Sequence, residues 1–171
     1  MRRALVPAST AALAALLLSA CVVPPRPGDP VPSAAGVLAA DARALRFGAT
    51  APAIFDNPEL RDKLQAMFGG DWGPSARLAA GAPAYFPATS SIRLLRVAEQ
   101  DYIAVSGCVP AACAPRPGLL LVRQDGQHLL ARLDEGGFSH YYHFTTGASP
   151  APPPRALIDG AWLAVARLER R

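Results

Sequence analysis

The run Cys108-Val109-Pro110-Ala111-Ala112-Cys113 carries the clearest chemical signal in this 171-residue chain. Two thiols with four residues between them can close a small disulfide ring. The spacing excludes the two-residue gap of thioredoxin-like redox motifs. Closing so small a ring stabilises a fold by only about 2 kcal/mol on the chain-entropy model. Two readings stand level. One is a modest structural staple. The other is a loop ordered in advance, with Pro110 fixing one φ and the ring fixing both ends, so that a partner need not order it. The three histidines give less. His140 and His143 would share a face on a helix, but their segment is rich in aromatics and reads as a strand, where residues three apart point to opposite faces. His128 falls on a different strand. No shared metal site and no cofactor is expected. Phe138, Tyr141, Tyr142 and Phe144 read as sheet packing, Trp72 and Trp162 as core, and Asp134-Glu135 as a solvated turn. No nucleophile elbow, zinc-protease helix or phosphate-cradling glycine loop is present, so the sequence offers no enzymatic signature.

The third cysteine, Cys21, has a different setting. Arg2 and Arg3 precede an apolar run from Ala11 to Leu18. That run falls short of the ~20 apolar residues that span a bilayer. It ends in Leu18-Ser19-Ala20-Cys21, which resembles a bacterial lipobox. The resemblance implies cleavage of a signal peptide over residues 1–20 and acylation of Cys21, with more chains than the two signals stable anchoring needs. Val22, in place of the Asp that marks inner-membrane retention, implies a periplasm-facing anchor in the outer membrane. Cleavage leaves roughly 150 residues, enough for one domain with a core. It also removes Arg2 and Arg3, lowering the formal charge of +4 by two. A nearly balanced surface gives no electrostatic case for nucleic acid. Cys108 and Cys113 would then sit as an even pair where disulfides persist.

These residues need a scaffold. Residues 21–35 are proline-rich and read as an extended tether, about 3.1 Å per residue, leaving residues 36–171 as the domain. Ala35 to Phe47 suggests a short helix with Leu38, Ala42 and Leu45 on one stripe. Residues 58–68 suggest a second. Asp56 or Asn57 caps it, Pro58 suits its first position, and Leu60, Leu64, Met67 and Phe68 share one face before Gly69-Gly70 ends it. The period then becomes two. Strands are expected over Ser91–Ala98, Tyr102–Ser106, Gly118–Gln124, Gln127–Leu133 and Phe138–Thr145. Their turns are expected at Glu99-Gln100-Asp101, Asp125-Gly126 and Glu135-Gly136-Gly137. Ala161 to Leu168 fits a last strand or a short helix, with strand preferred. The expectation is an α+β fold: an antiparallel sheet of about five strands with one or two helices packed on one face.

With those elements placed, the chain resembles the inhibitor of vertebrate lysozyme (Ivy) family. Members carry an amphipathic helix, a tryptophan segment, a strand in which Tyr precedes Cys by six positions, a Cys-Lys-Pro-His-(Asp/Asn)-Cys loop, and a hairpin. Here Tyr102 precedes Cys108 by six; Cys108, Pro110 and Cys113 match the loop; and GLLLVRQDGQHLLARL follows as the hairpin. The likeness spans roughly residues 45–168, with specific identity over Tyr102–Leu133. It implies a loop that enters the cleft of a lysozyme or another peptidoglycan-cleaving enzyme. The family's histidine, lysine and acidic or amide residue are here Ala111, Val109 and Ala112, so this loop keeps the plug's shape and lacks its polar head. Three functions follow as expectations. The first is an anchored lipoprotein that binds, and inhibits, such an enzyme through residues 108–113. The second is a structural or assembly lipoprotein of the envelope with the same fold and no inhibitory loop. The third is a metal or small-ligand module. Monomer and homodimer both remain open.

Overall fold

The computed structural model describes residues 31–39, 41–147 and 153–169. The signal peptide expected over residues 1–20, Cys21 and most of the tether expected over 21–35 lie outside the described residues. Six strands form one sheet: β1 (Ala35–Val37), β2 (Ser91–Val97), β3 (Gln100–Cys108), β4 (Pro117–Arg123), β5 (His128–Glu135) and β6 (Phe138–Thr145). They lie side by side in chain order, every neighbour antiparallel. The fold is α+β, as the sequence suggested, with one strand beyond the expected five. Gly136 and Gly137 both have positive φ (58° and 91°), the conformation that a two-residue hairpin turn requires. Ala98 and Glu99 make the equivalent turn between β2 and β3 with φ of 48° and 61°. That turn lies one to two residues before the expected one, and β3 starts at Gln100.

Helices cover both faces of the sheet, not the single face expected, because α3 (Pro154–Glu169) brings a second apolar stripe where a last strand was expected. Helices α1 (Ala51–Phe55) and α2 (Arg61–Phe68) pack Ile54, Phe55, Leu64 and Phe68 against Ile103, Val105, Leu120, Val122, Leu129 and Ala131. Helix α3 (Pro154–Glu169) packs Leu157, Ile158, Ala161 and Val165 against Leu95, Tyr102, Ala104, Leu119, Leu121 and Leu130. A central strand buried on both sides reads as an unbroken apolar run, which accounts for Leu119-Leu120-Leu121-Val122.

Three local expectations change. Ala161 to Leu168 is the second half of α3, not a strand. Its helical spacing shows only when the window reaches back through Leu157 and Ile158 to Pro154, which suits a first helical position. Ala35 to Phe47 is not a helix. Its start pairs with β2 as an edge strand, and Asp41 caps a 3₁₀ turn over Ala42–Leu45 by accepting from Arg43 N at 2.8 Å. Leu45 is 51% exposed while Ala44 and Phe47 are buried, so the expected stripe does not form. The predicted helix over 58–68 begins as a turn. Asn57 Oδ1 accepts from Glu59 N at 2.9 Å, and regular helix starts at Arg61, with Leu60, Leu64, Met67 and Phe68 buried as anticipated.

The domain also begins earlier than residue 36. Ser33 N donates to Ala156 O at 2.8 Å, and β1 starts at Ala35. The chain therefore enters at the Val97–Gln100 end of the sheet. The Cys108 end of β3 lies eight residues along from Gln100, roughly 27 Å at the usual strand rise.

Candidate functional site: the Cys108–Cys113 loop

β3 and β4 are paired to their very ends, Cys108 opposite Pro117, so the intervening loop stands on a rigid base. Cys108 and Cys113 are joined by a disulfide, with Cα atoms 4.8 Å apart. Inside the ring, Ala112 N donates to Val109 O at 3.0 Å, closing a four-residue turn with Pro110 and Ala111 at its centre. Ala111 has φ of 62°. Proline at the second position and positive φ at the third is the type II arrangement, which ordinarily takes glycine at the third. Val109 N donates to Arg116 O at 3.1 Å, and Arg116 N donates to Ala112 O at 3.0 Å. Backbone bonds thus cross the loop at three places.

The six loop residues do not share one role. Val109 is buried in the α1–α2 core and Ala112 packs against it. Cys108 is half-buried. The outward surface is Pro110, Ala111 and Cys113, continued by Ala114 and Pro115. Val109 therefore anchors the loop from within, and Ala112, half-buried, lies between the core and the outward face. Sequence reading missed Ala114 and Pro115 because it stopped at the second cysteine.

A partly buried network fixes the root. Glu135 accepts from Arg116 Nε at 2.7 Å and from the Tyr85 hydroxyl, while Gly136 N donates to Pro115 O at 3.3 Å. Burial, and then the hydrogen bond to Glu135, push the Tyr85 hydroxyl well above its usual range. Glu135 is thus a structural anchor and not the solvated turn residue expected; its neighbour Asp134 likewise holds Arg132 at 3.0 Å. Gly107 completes the root. A Cβ there would lie 2.3 Å from Ser90 Oγ and 2.6 Å from Tyr85 O, so only glycine lets the Ala82–Tyr85 turn close on β3.

Phe138 was expected to pack in the sheet, yet it is 73% exposed. It starts β6 immediately after Gly136-Gly137, at the end of the sheet that carries the loop.

The histidines behave as their strand spacing implied. His140 and His143 point to opposite faces of β6. His128 is wholly buried, with the Tyr102 hydroxyl 2.9 Å from Nδ1 and no partner on Nε2. Burial, then the charges of Arg123 and His143, push its pKa down to about 4. The His128 and His143 rings meet edge-on at 6.4 Å. Among the described residues, no three His, Cys, Asp or Glu side chains are grouped to hold a metal ion. Two further polar clusters escaped sequence reading. Asp71 is buried and accepts from Ser75 Oγ at 2.6 Å and Tyr142 OH at 2.9 Å, with Arg77 at 3.5 Å. Burial pushes its carboxyl up, but these hydrogen bonds and Arg77 outweigh that and hold it below its ordinary value. Arg132 lies over the Trp162 ring at 4.2 Å and bonds Asp159 at 3.1 Å, tying α3 to β5. Both clusters cross-link elements, and among the described residues neither contains a buried side-chain polar atom without a hydrogen-bond partner.

The site is therefore a disulfide-closed, apolar, pre-ordered loop with no catalytic group at its tip. Comparison with protein-family models, with curated proteins and with solved structures returns no match to this chain.

Proposed function

We propose that the protein is an outer-membrane-anchored, periplasm-facing lipoprotein with an Ivy-like domain. Its Cys108–Cys113 loop would dock in the cleft of a lysozyme or another peptidoglycan-cleaving enzyme. The observation that carries this reading is the loop's construction. Disulfide, type II turn and the Tyr85–Glu135–Arg116 root converge on a tip of Pro110 and Ala111 that faces solvent. So many constraints on an exposed apolar tip do little for stability and much for binding, because a pre-ordered loop loses little entropy on docking. The loop also stands at the opposite end of β3 from the chain's entry, which favours presentation away from a membrane. Ala111 offers no hydrogen bond or charge to a pair of catalytic carboxylates, so the contact would rest on shape and buried apolar area.

The test is an inhibition and binding assay with the native protein against hen-type lysozyme and periplasmic glycan-cleaving enzymes. Binding to at least one, weakened by Cys108→Ser with Cys113→Ser, supports the reading. Absence of binding to all of them overturns it.

A second reading is favoured by one observation, the joint replacement of the family's lysine, histidine and acidic positions by Val109, Ala111 and Ala112, with Val109 turned inward. On that reading the protein is a structural or assembly lipoprotein of the cell envelope. Inhibition that appears only after Ala111→His selects it.

A further inference from the structure

Among the described residues, Val31, Leu45, Phe138 and Leu163 are the large apolar side chains that stand exposed, and Phe138 is the one aromatic. Its place in the sheet gives it no apolar partner across the strand. The residue opposite is Glu135, whose carboxylate is committed to Arg116 and Tyr85. Further along the same face of β6, Tyr142 and Phe144 pack against the α1–α2 core, but that cover does not extend to Phe138. The turn before it stands clear as well: a Cβ at Gly136 or Gly137 would meet nothing within 4 Å. Burying a phenylalanine ring is strongly favourable, and aromatic rings are enriched at the centres of protein interfaces.

The ring is not separate from the Cys108–Cys113 loop. The β3–β4 loop and the β5–β6 turn leave the sheet at the same end. Gly136 N donates to Pro115 O at 3.3 Å, which stitches the hairpin turn to the loop. Arg116 and Glu135, one at the root of each turn, meet at 2.7 Å and neutralise each other. Loop and hairpin therefore form one body. Ala114, Pro115, Gly136 and Gly137, all exposed, carry an uncharged surface from the tip to Phe138. β6 lies two strand spacings, roughly 10 Å, from β4. Residues 148–152 are too few to cover the ring. The link from Gly147 to Pro153 spans at most about 23 Å. Phe138 stands roughly 23 Å beyond Thr145, so that link cannot reach it and return.

We infer that Phe138 is a second anchor of the docking surface, buried against an apolar wall of the same enzyme cleft that receives the loop. The inference rests on the loop reading above and names what supplies its affinity. Pro110 and Ala111 are small, and Ala111 has no polar group, so the tip alone buries little. A cleft that binds a polysaccharide is an extended groove whose apolar and aromatic side chains face the C–H surfaces of the sugar rings. An aromatic ring held at a fixed distance to one side of the loop suits such a wall. A lipid surface suits this end less well. Arg116, the cation at the root of the loop, is taken by Glu135, and the chain enters at the opposite end of the sheet.

The experiment titrates the full chain, native and with Phe138→Ala or Phe138→Tyr, into hen-type lysozyme and periplasmic glycan-cleaving enzymes in a calorimeter. The Cys108→Ser/Cys113→Ser chain is run alongside. Phe138→Ala should weaken binding about 10- to 100-fold and Phe138→Tyr less than about threefold. Both variants should keep the native urea midpoint, because the ring is exposed. Binding that Phe138→Ala leaves unchanged and the double serine change weakens overturns the second anchor and leaves the loop reading standing. Binding to no enzyme overturns the loop reading and the second anchor together. A loss on Phe138→Ala that comes with a lowered urea midpoint also overturns the inference, since the ring would then serve the fold. So does binding to phosphatidylethanolamine–phosphatidylglycerol vesicles that depends on Phe138 while enzyme binding does not.

Discussion

Ala111 holds a backbone conformation that costs an alanine about 1 kcal/mol, and nothing in its side chain repays it. Strain of this kind concentrates where a surface must be shaped for contact. Ala111→Gly should therefore raise stability by roughly 0.5 kcal/mol, the relief of strain exceeding glycine's extra unfolded entropy. Ala111→Val should lower it by about 1–2 kcal/mol, because a β-branched side chain resists positive φ. Urea denaturation of both variants checks the signs. Equal stabilities would mean that Ala111 does not hold the left-handed conformation. Tyr85 offers a second residue-scale test. Tyr85→Phe leaves its shape and removes one of the two donors to Glu135, so a loss of about 1–2 kcal/mol is expected. An unchanged denaturation midpoint would show that the root does not depend on this bond.

At the scale of elements, the loop is stiff chiefly through its crossing hydrogen bonds and its paired base, with the disulfide as the final tie. Cys108→Ser with Cys113→Ser should cost only about 2 kcal/mol of global stability. It should raise hydrogen exchange at Ala112 and Arg116, whose N–H groups bond across the loop, while the β3–β4 ladder stays protected. Fast exchange spreading into β3 and β4 would contradict this division. The elements also show what a sequence makes legible. β2 through β6, the Asp125-Gly126 and Gly136-Gly137 turns and the apolar face of α2 follow from local period and turn chemistry, and the structure has all of them. β1 was hidden because three residues are too few to show a period. α3 was hidden because its apolar stripe extends over sixteen residues and only its last half was read.

At the scale of the molecule, the polar clusters were invisible in the sequence for a different reason. Tyr85 and Glu135 are 50 positions apart, and Asp71 and Tyr142 are 71 apart, so no local pattern connects them. The loop's cysteines and proline were legible because they are adjacent, but which loop residues face outward depended on packing from distant α1 and α2. One buried group should govern the pH response of the whole fold. His128 is buried neutral, with its pKa lowered from the ordinary 6.5 to about 4. The unfolded chain therefore binds a proton that the folded chain refuses between those values. Stability should be fully present above about pH 6.5 and fall as pH drops toward 4, by on the order of 3 kcal/mol. The lowered carboxyls of Asp71 and Asp101 act only at more acid pH, below the ordinary carboxylate range. Denaturation midpoints at pH 7.5, 5.5 and 4.5 should decline for the native chain and much less for His128→Phe. A flat profile would contradict a neutral buried His128.

The central claim is that a pre-ordered loop, and not a reactive group, makes the protein's contact with its partner. The most direct measurement is a calorimetric titration of the native chain into hen-type lysozyme and a set of periplasmic glycan-cleaving enzymes, repeated with Cys108→Ser and Cys113→Ser together. The account predicts saturable binding to at least one enzyme and at least a tenfold loss in the double variant. Binding to none of them, or equal binding by native and variant chains, would contradict it.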